Sequence, residues 1–245
     1  MADFCIKASC INKYYGDRRV LKDVSFEVPL TAVYGLLGPS GCGKTTTVKI
    51  ISGILEANSG ETLVLDEKMP SLPLMSRIGY MAQSDALYPD LSAKENMEFF
   101  GALYGITGKA FVKRFDEVMA LVNLSDDKSK MVGAYSGGMK RRLSLAMAIL
   151  HKPPVLILDE PTVGIDPLLR KSIWDELYRM TKDGVTILLT THVMDEAEKC
   201  THLSMMRAGE LIASGSPEEI QVKSGADSLE EAFLFYGSEG GGDES

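Results

Sequence analysis

The sequence predicts an α/β fold: a core built on a mostly parallel sheet, an N-terminal antiparallel β subdomain and a helical insert subdomain. Three observations predict it. A glycine-rich segment, Gly38 to Thr45, follows an apolar run and precedes a helix-compatible stretch. Two continuous apolar runs, Val155 to Leu158 and Val185 to Leu189, read as strands buried on both faces of a parallel sheet. Between Leu91 and Leu150 the apolar residues recur at helical spacing instead.

Along the chain, Phe4 to Ser9 and Val24 to Val28 alternate apolar and polar residues as half-exposed strands do, with Tyr14, Tyr15 and Gly16 read between them as the connection of a small antiparallel sheet. The run Ala32 to Leu37 then enters GPSGCGKT, which has the spacing GxxxxGK[ST] of a phosphate-binding loop and marks the core as that of a P-loop NTPase. Glycines at Gly38, Gly41 and Gly43 let the backbone bend so that successive N–H groups point inward, and the following helix aims its positive end at the same spot. The expected phosphate contacts run through Gly38, Pro39, Ser40, Gly41, Cys42, Gly43, Lys44, Thr45 and Thr46, with Lys44 reaching the terminal phosphates of a nucleoside triphosphate and the Thr45 hydroxyl holding Mg2+. Cys42, near a helix start and Lys44, is expected to be a reactive thiol, the alternative being a small residue that merely fits the loop.

Glu61 to Leu65 and Arg77 to Gln83 read as further strands, the second ending in a polar residue. Ser92 and Glu95 form a capping box at the start of the helical insert, placed at about residues 85–149. Phe111, Phe115, Val118, Met119 and Val122 lie at helical spacing within Phe111 to Leu124 and are core residues, and Ser125-Asp126-Asp127 is a turn. The two buried strands run into Asp159-Glu160 and Thr190-Thr191-His192. Ligands in open α/β sheets sit beyond the carboxyl ends of strands, so these ends and Gly38 are expected to converge. A hairpin around Ala208-Gly209 and a helix over Leu229 to Tyr236 close a single domain, 1–236, followed by a disordered tail, 237–245.

The formal net charge of -8 argues against general electrostatic binding to nucleic acid. No apolar run is long enough to cross a bilayer, and MADFCIKASC lacks the layout of a secretion signal, so a cytosolic protein is expected. Cys5, Cys10, Cys42 and Cys200 form no CxxC pair, and with His151, His192 and His202 they show no zinc spacing.

Two further segments carry chemistry. Asp159 can bind magnesium while Glu160 polarises an attacking water, although two acids in sequence can also merely cap a strand. YSGGMKRRLSLAMAIL opens a helix at Ser136-Gly137-Gly138 with Lys140, Arg141 and Arg142 in its first turn. Cations there oppose the helix dipole, so they read as prepared for an anion from outside or as partners of nearby acids.

With these motifs in hand, the chain resembles the ATP-binding cassette (ABC) family over nearly its whole length, specifically the nucleotide-binding subunit of a membrane transporter. Besides the phosphate loop and Asp159-Glu160, the resemblance rests on Gln83 after IGYMA, YSGGM at Tyr135 to Met139, VGID at Val163 to Asp166, and His192, each in family order. A phosphate loop alone would suit kinases or GTPases; the Ser136-Gly137-Gly138 signature excludes nearly all of them.

The resemblance implies a head-to-tail pair of cassettes, most simply a homodimer, with each ATP between the phosphate loop of one and the signature of the other. Tyr15 would stack on adenine, Thr45 and Asp159 would hold magnesium, and Glu160 would be the base. Gln83 would sense magnesium and water, and His192 would contact the γ-phosphate. Ser136, Gly137 and Gly138 would face the γ-phosphate of the opposite subunit, and Asp166 would lie in the loop connecting the two sites. A separate integral membrane permease would dock beside Gln83 and the helical insert, on the cytoplasmic face of the membrane.

Tyr135 and Met139 depart from the usual leucine and glutamine, and Ala82 stands where proline is frequent. YSGGM, Leu87 to Gly105 and SLEEAF at Ser228 to Phe233 look like the subgroup serving ABC-2-type exporters. Family members acting in nucleic-acid or translation-related processes are the alternative; they carry coiled-coil insertions or a second cassette, neither of which is read here. A regulatory module without catalysis fits poorly with Lys44, Asp159, Glu160 and His192 all present.

Overall fold

The structure, a computed structural model, describes residues 4–84 and 86–239. In chain order the strands and helices begin with β1 (Phe4–Tyr15), β2 (Arg18–Pro29), β3 (Val33–Leu37), α1 (Lys44–Ile51), β4 (Ser59–Val64), β5 (Glu67–Lys68) and α2 (Leu72–Met75). Next come β6 (Ile78–Met81), α3 (Ala93–Leu103), α4 (Gly108–Leu121), α5 (Gly137–Ile149), β7 (Val155–Asp159) and α6 (Pro167–Lys182). The series ends with β8 (Thr186–Thr191), α7 (Met194–Ala197), β9 (His202–Arg207), β10 (Glu210–Gly215), α8 (Pro217–Ser224) and α9 (Leu229–Glu239). They fall into two compact units, one formed by the chain up to Met75 and from Thr186 onward, the other by Ser76–Val185.

In the first unit, β2, β1, β4 and β5 form an antiparallel sheet in that order. Tyr14 and Tyr15 belong to β1 itself, paired with Arg19 and Arg18, so the connection is Gly16-Asp17 and not the three residues expected. Register shifts between Ala8 and Ile11 and between Ile11 and Lys13 break the strict alternation there, which is why periodicity ended the strand too early. The second sheet of this unit has the order β10-β9-β3-β8, with β3 parallel to both β8 and β9. Every residue of β3 and β8 is buried, as continuous apolar runs require. Leu37, Leu203, Met205, Ile220, Leu229 and Ala232 form a core beneath α8 and α9. The last helix reaches Glu239, three residues past its expected end at Tyr236, and residues 240–245 of the expected tail lie outside the described residues.

The second unit joins the parallel pair β6 and β7 to the helices α3, α4, α5 and α6. Its helices start where side-chain caps put them: Ser92 and Glu95 form the expected capping box at α3, and Ser136 caps α5. Phe111, Phe115, Val118 and Met119 are the buried face of α4, which ends at Leu121 so that Val122 is its cap. This unit is wider than the expected insert at 85–149, whose first residue, Asp85, lies outside the described residues. The reason is packing: α5 lies against β6, which keeps the helices with these strands.

Candidate functional site

The phosphate loop grows out of a strand pair. Leu37 on β3 pairs with Thr191 on β8, and Gly38 N–H donates to Thr191 O at 3.2 Å. The loop and the His192 turn therefore leave the first unit's sheet side by side, as expected for two of the three strand ends. Gly38 has no room for more: a Cβ there would lie 2.2 Å from Met206 O and 2.8 Å from Cys42 Sγ. Gly43 adopts φ 115°, and its Cβ would meet Leu21 Cδ2 at 2.7 Å. The hairpin between β9 and β10 braces the loop from below, with Gly209 N–H donating to Cys42 O at 3.0 Å and Lys22 N–H donating to Gly209 O at 2.9 Å.

Gly43 starts α1 without a side-chain cap, and no acid stands in the first turn. The polarised N–H groups of this helix start are thus matched to an anion. Lys44 is 5% exposed, and its ammonium donates to Gly38 O at 2.6 Å and Pro39 O at 3.0 Å. Pro39, Ser40 and Gly41 are exposed, and Thr45 and Thr46 half-buried. The expectation of a reactive Cys42 meets a contrary fact, because its thiol is 4% exposed and lies against Gly38. Proximity to a helix start was a local argument, and burial of the thiol overrides it.

Tyr15 presents a half-exposed ring at the end of β1, with Lys13 Nζ 5.6 Å from its centroid. His192 is exposed just beyond β8. Thr191, read from sequence only as part of the strand end, and Glu196, not read from it at all, fix its turn: buried Thr191 donates from Oγ1 to Glu196 Oε2 at 2.7 Å and accepts from Val193 N–H at 3.0 Å.

The second unit brings Gln83 and the Asp159-Glu160 pair to neighbouring strand ends, since Met81 on β6 pairs with Leu158 on β7. Gln83 is exposed and Asp159 fully buried. Glu160 has φ 52°, a left-handed conformation that costs a non-glycine residue roughly 1–3 kcal/mol and persists only where neighbours enforce it. Burial pushes the Tyr80 hydroxyl up to about 12, with the Asp159 charge adding to the rise and Arg141 opposing it.

Arg141 and Arg142 are engaged with backbone carbonyls, a use that the reading of clustered cations did not include. Arg141, 7% exposed, donates from Nη1 to Ala82 O at 2.6 Å and Gln83 O at 2.9 Å, and from Nη2 to Asp159 O and to Glu160 O at 2.6 Å. Arg142 donates to Val122 O at 3.1 Å and Asn123 O at 2.8 Å. Both guanidinium groups serve backbone carbonyls far away in sequence, which no local pattern around Ser136 announces.

Ser136 Oγ accepts from Met139 N–H at 3.2 Å, leaving Gly137 exposed and Gly138 half-buried at the helix start. A Cβ on Gly138 would sit 3.2 Å from Gly164 O, so the signature turn and the VGID segment touch. Asp166 caps α6, accepting from Leu169 N–H at 3.1 Å, with Pro167 at the first helical position. Tyr135, in place of the usual leucine, is buried and donates its hydroxyl to Asp127 O at 2.8 Å.

These donors fit a polyphosphate and a hard divalent ion. The cradle is closed to any larger residue at Gly38 and its helix start carries no side-chain cap; Thr45 in the first unit and, separately, buried Asp159 in the second each carry the kind of oxygen magnesium prefers. Residues 21–163, more than half of the chain, match the family model described as ABC transporter. The chain belongs to this family.

Among the cassette's relatives, the probable multidrug ABC transporter ATP-binding protein YbhF of Escherichia coli (strain K12) is 39% identical over 236 residues, covering 94% of this chain and 41% of that protein. The chain thus spans less than half the length of that relative. The Nod factor export ATP-binding protein I of Cupriavidus metallidurans is 39% identical over 233 residues, covering 94% of this chain and 76% of that protein. Among solved structures, a dimeric ATP-binding cassette in a post-hydrolysis state bound to ADP and Pi superposes with a TM-score of 0.81 at 25% identity, covering 86% of this chain and 98% of that one. Among the described residues no helix is long and apolar enough to cross a membrane.

Proposed function

We propose that the chain is the ATP-binding and ATP-hydrolysing subunit of an ABC exporter, and that it closes around ATP with a second copy of itself to drive a separate membrane permease. The observation that carries the reading is the cradle at Gly38–Lys44, shaped and polarised for a polyphosphate, in a chain that also holds a strained glutamate directly after a strand-end aspartate. The dimeric relative bound to ADP and Pi and the relative named for export support it.

In this reading the loop N–H groups and Lys44 bind and orient the β- and γ-phosphates, and Tyr15 offers its ring to adenine. Thr45 and Asp159 would hold Mg2+, with Gln83 beside it; when bound, the ion neutralises charge on the phosphate oxygens. Glu160 accepts a proton from the attacking water, and His192 donates toward the γ-phosphate. Ser136, Gly137 and Gly138 complete the site of the second copy, with Asp166 beside them. The permease docks beside Gln83 and the helical insert, where Tyr88, Phe99 and Leu103 are exposed apolar side chains, on the cytoplasmic side of the membrane.

Substitution of the base tests the proposal. Glu160→Gln should bind ATP normally, lose about 10²–10⁴-fold in turnover and accumulate closed dimers by sedimentation. Normal turnover in that variant, or full activity of dilute monomer with Ser136→Ala harmless, sinks it.

A further inference from the structure

One guanidinium reaches four carbonyls on two separate turns of the second unit. Because β6 and β7 run parallel with Met81 opposite Leu158, the turn carrying Gln83 and the turn carrying Asp159-Glu160 emerge together. Arg141, the fifth residue of α5, rises between them, and its two terminal nitrogens divide the work, one serving Ala82 O and Gln83 O, the other Asp159 O and Glu160 O. A planar fork with fixed donor directions suits this arrangement, and an ammonium cannot reproduce it.

Two features make the contact more than packing. Glu160 holds a left-handed backbone, and the carbonyls of Asp159 and of Glu160 itself, one on each side of that strained φ/ψ pair, both point at Arg141. Charge-assisted hydrogen bonds of this kind are roughly twice as strong as neutral ones, and here they are buried. The same helix begins at Ser136, five residues upstream, so the seat of the signature is mechanically tied to the turns that carry the base and Gln83.

We propose that Arg141 is a positioning residue for hydrolysis: it clamps the Gln83 turn and the Asp159-Glu160 turn to the signature helix, and so aims Glu160 at the water. It acts through backbone carbonyls. The inference rests on the ATPase reading above, but its first test does not.

Arg141→Lys keeps the charge and the stem while removing the fork. Native-state amide hydrogen exchange should speed up at least about tenfold at Gln83, Ser84, Glu160 and Thr162 to Gly164, with the centres of α4 and α6 unchanged. In steady-state ATP hydrolysis kcat should fall at least about tenfold while KM and the affinity for a non-hydrolysable ATP analogue stay within about threefold. Arg141→Gln, which can serve only part of the carbonyl set, should behave alike.

Unchanged exchange at both turns overturns the clamp, as does exchange raised uniformly through residues 76–185, which would make Arg141 a general support of the fold. Local loosening with unchanged kcat overturns the positioning role. A wild-type chain that fails to hydrolyse ATP overturns the ATPase reading, and the exchange measurement still decides the clamp.

Discussion

Thr191 gives its hydroxyl proton to the Glu196 carboxylate at 2.7 Å while accepting from Val193 N–H, so the turn that presents His192 is braced from inside the protein. Both residues are buried, and loss of the acceptor strands the hydroxyl away from water. Glu196→Ala should lower stability by about 1–3 kcal/mol in urea unfolding. Thr191→Ser, which keeps the hydroxyl, should lose less than about 1 kcal/mol. Equal losses in the two variants would show that this hydrogen bond does not brace the turn.

Gly38 and Gly41 separate space from backbone freedom. A Cβ at Gly38 would lie 2.2 Å from a backbone oxygen of β9, whereas Gly41 has φ 78° and nothing within 4 Å. Gly38→Ala should cost about 3 kcal/mol or more and abolish ATP binding, and Gly41→Ala about 1–2 kcal/mol. Paired unfolding curves and nucleotide titrations check the order; a milder effect at Gly38 refutes the close approach.

Thiol accessibility gives a second direct check. Cys10 is exposed, whereas Cys5, Cys42 and Cys200 are buried. Burial also raises the thiol pKa of Cys5 and Cys200, making their thiolates scarcer still. Titration of the native protein with a disulfide reagent should therefore show one fast thiol, lost in Cys10→Ser, and the rest only on unfolding. Fast labelling of Cys42 would contradict its packing against Gly38.

His151 stacks face to face on Tyr104 with ring centroids 3.8 Å apart, and burial pushes its pKa from 6.5 down to about 4. The unfolded chain takes up a proton between those two values that the folded chain refuses. Stability from this site is therefore complete above pH 6.5 and falls as pH drops toward about 4. Allowing for partial exposure, the loss is about 1–2 kcal/mol. Denaturation at about pH 7 and about pH 5 should show the difference shrinking in His151→Phe, which keeps the stack; an unchanged difference refutes it.

Local chemistry was the legible part of this protein. Ser92 with Glu95 announced the start of α3, and the apolar runs into Gly38, Asp159 and His192 announced buried strands. The glycine spacing announced the cradle. What stayed hidden depends on residues distant in the chain. Arg141 reads as a helix-terminal cation until one knows that Ala82 and Glu160 lie within reach, and Cys42 reads as reactive until the folded loop lays its buried thiol against Gly38. The early end given to β1 has a third cause, since its bulges shift the side-chain alternation on which strand reading depends.

The brace beneath the phosphate loop has a thermodynamic corollary. With Cys42 O held by Gly209 and the loop pressed on Met206, the backbone proposed to receive the nucleotide is already ordered in the folded chain. Little chain entropy remains to be lost at capture, so the loop works as a rigid mould and not as a noose that tightens.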